Sequence, residues 1–404
     1  MAAEKGAPRS EEKSRPGEGV LDLYIVAGEP SGDLHGGNLV KALRRLRPEL
    51  RVRAFGGPRL RAAGAELSAD LMQLSIVGVE GIAHHLGTFF DLLDRFRRDL
   101  LERRPQVVIL IDYPGLNFIL AKVARRLGVP VVYYCCPQLW AWAPWRVEKI
   151  RKLAHLLLVI FPFEVPFFSG GPAEVVYVGH PLGDELVRFP AGETRAEVRR
   201  ELGVGEKELL VGLFPGSRRQ EIAGLSAFMG RAALQLRKRA PGLKFAFSCL
   251  EDRFRSLLPA RGPWNVLGGP GERLMAASDL ALVASGTASL ELAYFGVPSV
   301  VVYPVPKWQQ RCFNLFRTTP FISTVNILNR GELIPERLVS GRKSELREVV
   351  ELLWPYVKDP GARKAGSERL REVTSEVLAP GASSKAAACI AAFCDRCRAD
   401  GSVE

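Results

Sequence analysis

Five short segments of the chain carry residues whose types and spacing can do chemistry. In Gly28-Glu29-Pro30-Ser31-Gly32-Asp33, two carboxylates sit in a Gly-rich turn at the start of a helix. Ser31 or Asp33 can cap that helix, as short polar side chains do, and Asp33 is read that way. Glu29 follows an apolar run directly and can serve either the turn or a ligand. Ile111-Asp112-Tyr113-Pro114 ends another apolar run with an acid. A partly buried carboxylate there would have a raised pKa and could take a proton as general base. The competing reading is a turn residue accepting backbone N–H bonds; the functional one is preferred.

Pro215-Gly216-Ser217-Arg218-Arg219 opens a helix after a third apolar run. Exposed N–H groups at a helix start, the helix dipole and Arg218 together suit a phosphate. Ser285-Gly286-Thr287-Ala288-Ser289-Leu290-Glu291 is the sharpest signal. Small hydroxyl residues and Gly open a helix, and an acid follows one turn after Thr287. Such a start can hold a diphosphate while Glu291 accepts bonds from ribose hydroxyls. Pro137-Gln138-Leu139-Trp140-Ala141-Trp142-Ala143-Pro144-Trp145-Arg146 contains three of the six tryptophans. Its prolines argue against one continuous helix. The rings can stack on a sugar, rest in a membrane interface or plug the loop against the core.

Other candidates carry less. Neither G-x-G-x-x-G nor G-x-x-x-x-G-K-[ST] follows a strand here. No D-x-D pair is present to hold a metal–diphosphate, so no metal and no cofactor is expected. Cys394-Asp395-Arg396-Cys397 has Cys389 nearby but no histidine to complete a zinc site. His84-His85 lacks ligand spacing, and His180, between Gly179 and Pro181, reads as a ligand-facing residue or a hinge.

The elements that position these turns are legible from apolar periodicity. Strands are expected at Leu21–Ala27, Val107–Ile111, Val129–Tyr134, Leu209–Phe214, Leu243–Phe247, Trp264–Leu267, Leu280–Ala284 and Ser299–Tyr303. Amphipathic helices alternate with them. One runs from Asp33, with Leu39, Val40, Leu43 and Leu46 on a face; another carries Phe89, Leu92, Leu93, Phe96 and Leu100. Others are expected at Phe118–Leu127, from about Glu221, at Glu272–Ala277 and at Thr287–Phe295. Fully apolar short strands between such helices indicate parallel sheets covered on both faces. The series starts twice, separated by a charged stretch from Arg188 to Glu208 read as a link. The reading is α/β: two doubly wound, Rossmann-like domains facing across a cleft. Residues 1–19 form a tail, 20–185 and 186–355 the two domains, and 356–404 a helical segment returning toward the first.

Bulk properties set the outer limits. The 404 residues are 47% hydrophobic and 25% charged, which suits sizeable cores and excludes a disordered chain. The longest apolar run, Leu156 to Phe163, is far shorter than the roughly 20 residues that cross a bilayer. The first residues have no apolar region of a secretory signal, and seven irregularly spaced cysteines describe no disulfide framework. A reducing, cytoplasmic setting is expected. The net charge of +12 favours an anionic partner: nucleic acid, a phosphorylated metabolite or anionic lipid.

Taken in order, the segments just quoted, with Gly56-Gly57-Pro58-Arg59, Phe161-Pro162-Phe163-Glu164 and Gly179-His180-Pro181, resemble the lipid-A-disaccharide synthases over about residues 21 to 380. The resemblance implies a GT-B glycosyltransferase and a metal-independent, inverting reaction. UDP-2,3-diacylglucosamine and 2,3-diacylglucosamine 1-phosphate would give a lipid A disaccharide 1-phosphate and UDP. It implies Asp112 as catalytic acid or base, Glu29 as a carboxylate needed for activity and Arg218 on the diphosphate. Gly216, Ser217, Ser285, Gly286, Thr287, Ser289, Glu291 and Asn326 would line the substrate site. The enzyme would work peripherally at the cytoplasmic face of the inner membrane, on anionic lipid. Phe89 and Phe90 with Arg97 and Arg98, or Lys307-Trp308 with Arg311, Phe313, Phe316 and Arg317, could form the contact or be core stripes with solvated charges.

The chain departs from the family's usual wording in four places. Gly115-Leu116-Asn117 stands for Asp-Phe-Asn, Tyr303-Pro304 for Tyr-Arg or Tyr-Lys, and Val325-Asn326 for Pro-Asn. At Val77–Ala83 the usual acid is displaced. These changes bear on the acceptor and acyl chains more than on UDP. The nearest competing function is another UDP-sugar GT-B transferase with a lipid-linked acceptor. The other is a nucleotide- or nucleic-acid-binding protein without catalysis. The scattered basic residues and the lack of any nucleic-acid motif argue against that one.

Overall fold

A computed structural model describes residues 21–73, 82–305 and 321–399, with the side chains of residues 82–86 left aside. The expected strands are present, and they join others into two sheets. The first contains β1 (Asp22–Ala27), β2 (Arg51–Gly56), β3 (Glu66–Asp70), β4 (Val107–Ile111), β5 (Val131–Tyr134), β6 (Leu156–Val159) and β7 (Glu174–Tyr177). Their order is β3-β2-β1-β4-β5-β6-β7. The second contains β8 (Leu210–Phe214), β9 (Lys244–Cys249), β10 (Trp264–Gly268), β11 (Leu280–Ala284), β12 (Ser299–Pro304) and β13 (Glu336–Val339). Its order is β10-β9-β8-β11-β12-β13.

Both orders begin with the same manoeuvre. The chain lays three strands outward in one direction, then crosses back to continue on the other side of the first. β1 therefore pairs in parallel with both β2 and β4, and β8 with both β9 and β11. In doubly wound sheets ligands bind beyond the carboxyl ends of the strands at this reversal, where the connections on the two sides diverge and leave a crevice. Register sharpens the point. Ala27 is the partner of Ile111 and Phe214 that of Val283, so the turns after each pair of strands leave the sheet at nearly one level. Those turns carry Gly28–Asp33 and Asp112, and Pro215–Arg218 and Ser285–Glu291.

The strands hold because they are apolar throughout. β4, β8 and β11 are buried at every position, as strands covered on both faces must be. In the second sheet's core, Phe228, Phe245 and Phe247 pack with Leu225, Met229 and Leu282. Under the first sheet a polar group is buried as well. The Asp99 carboxylate accepts bonds from Tyr24 Oη at 2.8 Å and Ser68 Oγ at 2.5 Å, and pairs with Arg53 at 2.5 Å. The charge is tolerated because it is fully partnered. The described residues group into two compact units. One lies within 1–134, 153–157 and 384–404, the other within 135–152 and 158–383. No described helix is long and apolar enough to cross a membrane.

One expectation needs correction. The charged stretch from Arg188 to Glu208 is not a plain link, because residues Ala191–Glu201 form a helix. Its buried face includes Thr194, Val198 and the side chain of Arg199. Arg199 donates to the carbonyls of Ala277, Gly205 and Glu208 and pairs with Asp279 at 3.1 Å. A charged residue at the centre of the packed face hides the helical pattern in the sequence.

Asp279 also accepts from Arg195 and from the backbone N–H of Leu210. It ties this helix to the start of β8 and β11. Asp279→Ala leaves the buried Arg199 guanidinium without its counter-charge, and should lower the unfolding free energy by about 3 kcal/mol. Urea titration of the two proteins measures the difference.

Candidate active site

At the first sheet's reversal, β4 ends in a turn of unusual backbone. Asp112 and Tyr113 are consecutive non-glycine residues in the left-handed region, with φ of 43° and 45°. Such conformations cost about 1–3 kcal/mol each and persist only where surroundings enforce them. The Tyr113 ring lies over Gly28 of the neighbouring turn so closely that any Cβ at position 28 would overlap it. Gly28 is therefore required for close approach, and the contact brings the β1 and β4 turns together.

Glu29 sits at the N-terminal boundary of the helix Pro30–Leu46 in extended conformation, and its side chain does not cap that helix. Asp112 is half-buried. Burial first, and the negative charge of Glu29 second, push its carboxyl up to about 6, against a hydrogen bond from the Tyr113 N–H. Asp33 does cap a helix, but not its own. Its two oxygens accept from the N–H groups of Gly57 (2.8 Å), Arg59 (2.9 Å) and Leu60 (3.1 Å), at the start of the helix Pro58–Ala62. The fold, not local sequence, supplies those donors.

At the second sheet's reversal, Gly216 has φ of 112°, and a Cβ there would strike the Glu221 carboxylate. That carboxylate reaches back from the helix Arg219–Arg239 to accept the N–H groups of Ser217 (3.1 Å) and Arg218 (3.3 Å). The donors expected to meet a phosphate are thus bonded to the helix's own glutamate in this structure. The Arg218 side chain is exposed and lies 3.4 Å from Glu221.

Ser285, Gly286 and Thr287 follow β11, with Gly286 and Thr287 exposed at the start of the helix Thr287–Tyr294. Glu291 bonds to Thr287 one turn earlier. Burial and the charge of Glu272 push its carboxyl up to about 8. A glutamic acid of that pKa is largely protonated at neutral pH, so it can donate as well as accept.

Ser289 and Asn326, expected as substrate contacts, belong to the support beneath this turn. Ser289 is 1% exposed; its hydroxyl donates to Gly286 O and meets Ser323 Oγ at 3.3 Å. Asn326 is fully buried. Its amide donates to Ile334 O and Glu336, and its oxygen accepts from Leu333 and Ile334 N–H groups. Glu336 accepts further from Ile322 and Ser323 N–H groups. Neither Ser323 nor Glu336 had a sequence signal, since their partners are brought close only by the fold.

The tryptophan segment is broken as its prolines require, into a turn of helix Leu139–Trp142, a 3-10 turn Pro144–Arg146 and a helix Val147–Leu153. The rings divide by burial, and only Trp140 takes the expected place against the core. Trp140 is buried and donates to Glu164 at 3.0 Å, while Trp142 and Trp145 are exposed, with Arg146 over Trp142. Glu164 is itself fully buried and accepts the Ile160 and Phe161 N–H groups. His180 is buried, accepts from Leu182 N–H through Nδ1 and packs against Phe161. Phe90 is exposed and Phe89 half-buried. Lys307, Trp308, Arg311, Phe313, Phe316 and Arg317 lie outside the described residues. Among the described residues no group of His, Cys, Asp or Glu could hold a metal ion.

A family profile described as lipid-A-disaccharide synthetase matches residues 23–390. The chain belongs to this family. It is 37% identical to the lipid-A-disaccharide synthase of Geobacter metallireducens over 358 residues, 87% of this chain and 92% of that one. It is 35% identical to that of Myxococcus xanthus over 90% of this chain and 95% of the other. Among solved structures it resembles the UDP-GlcNAc 2-epimerase of Neisseria meningitidis bound to UDP-GlcNAc, with TM-score 0.62 and 13% identity. That likeness covers 93% of this chain and all of the other. It also resembles the calicheamicin glycosyltransferase CalG4, with TM-score 0.57 and 18% identity over 93% and 99% of the two chains. The fold of this family member is GT-B.

The acid pair at the first reversal gives a direct expectation. An NMR titration of the Asp112 carboxyl should show a midpoint near 6. Glu29→Gln should move it down, because removing a like charge favours the ionised form. An unmoved midpoint would separate the two acids.

Proposed function

We propose that this chain is an inverting glycosyltransferase. It joins UDP-2,3-diacylglucosamine to the 6-hydroxyl of 2,3-diacylglucosamine 1-phosphate, giving the β-1,6-linked lipid A disaccharide 1-phosphate and UDP. Membership of the lipid-A-disaccharide synthase family supports the substrates. The observation that carries the chemistry is the Asp112 carboxyl, set at the carboxyl end of β4 beside the sheet's reversal, with its pKa pushed up to about 6.

A carboxylate of that pKa is ionised at pH 7 to 8, yet basic enough to accept a proton as a new bond forms. Asp112 takes the acceptor hydroxyl's proton while the oxygen attacks the anomeric carbon from the side opposite UDP. The bond from that carbon to the diphosphate oxygen breaks, and UDP leaves with the electron pair. Charge gathering on the departing diphosphate calls for positive groups and N–H donors fixed in advance. Arg218 and the Ser285–Thr287 helix start fill that role, and the Gly216–Ser217 turn joins them when the Ser217 and Arg218 N–H groups exchange Glu221 for the diphosphate. Glu291, neutral at pH 7, bonds the ribose hydroxyls without placing a second negative charge beside the diphosphate. Glu29 keeps the Asp112 proton affinity high. Residues 20–185 make up the acceptor-side domain, residues 186–355 the donor-side domain, and 356–404 a C-terminal helical segment.

The substrates carry acyl chains, so the enzyme meets them at a bilayer surface on the cytoplasmic side of the inner membrane. Exposed Phe90 with Arg97 and Arg98 on the same helix suits an anionic surface, apolar ring inward and guanidinium groups at the headgroups.

The assay is UDP release from UDP-diacylglucosamine with and without the monosaccharide 1-phosphate. Release that instead requires a lipid-linked peptidoglycan intermediate would assign a different acceptor. Asp112→Asn should cut turnover by about 100-fold or more, the size of a lost general base, with donor binding nearly intact. Glu291→Ala should chiefly weaken donor affinity, read by calorimetry with UDP.

A further inference from the structure

The Asp112 turn is held from beneath by two side chains that touch none of the proposed reacting atoms. Asn117, fully buried on the helix Pro114–Arg126, donates through Nδ2 to Asp112 O at 2.7 Å and Ile111 O at 3.1 Å. Tyr133, 1% exposed on β5, donates through its hydroxyl to Asp112 O at 2.6 Å. Ile111 is the last residue of β4 paired with β5, so the carbonyls at this strand end lie where the ladder stops.

The orientation of Asn117 is settled by chemistry. Both contacts are carbonyl oxygens, so the NH₂ group must face them. The consequence is that Asn117 Oδ1 is buried and has no hydrogen-bond partner among the described residues. Buried acceptors are rarely left so. Residue 117 thus gives up half its bonding capacity to grip two successive carbonyls of the turn that carries Asp112.

We infer that Asn117 and Tyr133 are the positioning residues of Asp112. Together they lock its peptide in the left-handed turn and fix the direction in which the carboxylate leaves the end of β4. The inference rests on the reading of Asp112 as the base.

Tyr133→Phe is the decisive variant, because it keeps the buried ring and removes only the hydroxyl; Asn117→Ala is its companion, which can fail to fold. In the full chain, Tyr133→Phe should lower kcat about threefold to tenfold, the size of one lost hydrogen bond. Donor KM and Tm should stay near the parent values. In the Asp112→Asn background the same change should produce no further loss, since no carboxylate remains to be aimed. A parental kcat in Tyr133→Phe, or an equal loss in both backgrounds, would overturn the positioning role while leaving Asp112 as base. Near-parental turnover in Asp112→Asn itself would remove the base reading, and this inference with it.

Discussion

A strand that stops at the edge of a parallel sheet leaves N–H and C=O groups without ladder partners, and burial forbids leaving them unpaired. Much of this structure follows from how those groups are met. Carboxylates clasp the amides of successive turns. Asp33 holds Gly57, Arg59 and Leu60; Glu164 holds Ile160 and Phe161; Glu221 holds Ser217 and Arg218; Glu336 holds Ile322 and Ser323. Asp184 does the same for Gly381 and Ser383. Each of these acids is taken up by the amide donors it holds.

Asp112 and Glu291 stand apart from that set. Each lies against the protein interior with another carboxylate as the neighbour that matters, Glu29 for one and Glu272 for the other. Burial and like charge act in the same direction and favour the protonated form. The same residue types therefore divide by surroundings alone into acids that clasp amides and acids whose carboxyls are pushed up. Asp112 follows β4 directly, and Glu291 lies one turn into the helix that follows β11, at the two reversals of strand order.

Much of the sheet framework was legible because fully apolar strands need no partner to be recognised. Val107–Ile111 and Leu280–Ala284 have the bounds their composition indicates, and the turns after them stand out by glycine and acid. Other features depend on residues brought together from afar. The helix Ala191–Glu201 is hidden by Arg199, which is buried only because Asp279 waits 80 positions away. Asp33 reads as a cap for its own helix, yet its donors are more than 20 positions downstream. Ser289 and Asn326 have the chemistry of ligand contacts, but a hydroxyl or an amide can bond a loop equally well. Spacing does not tell the two apart; burial does.

If the turn after β8 takes the diphosphate as proposed, the grip of Glu221 on its own helix entry sets a limit on how tightly it does so. A guest that settles on the amides of Ser217 and Arg218 gains only the difference between its own bonds and those the glutamate surrenders. Ground-state affinity at that turn is held down accordingly. On that proposed reading, a tethered oxygen a single turn away would reclaim the donors as the guest departs, and a spent diphosphate would not be retained by empty hydrogen-bonding groups.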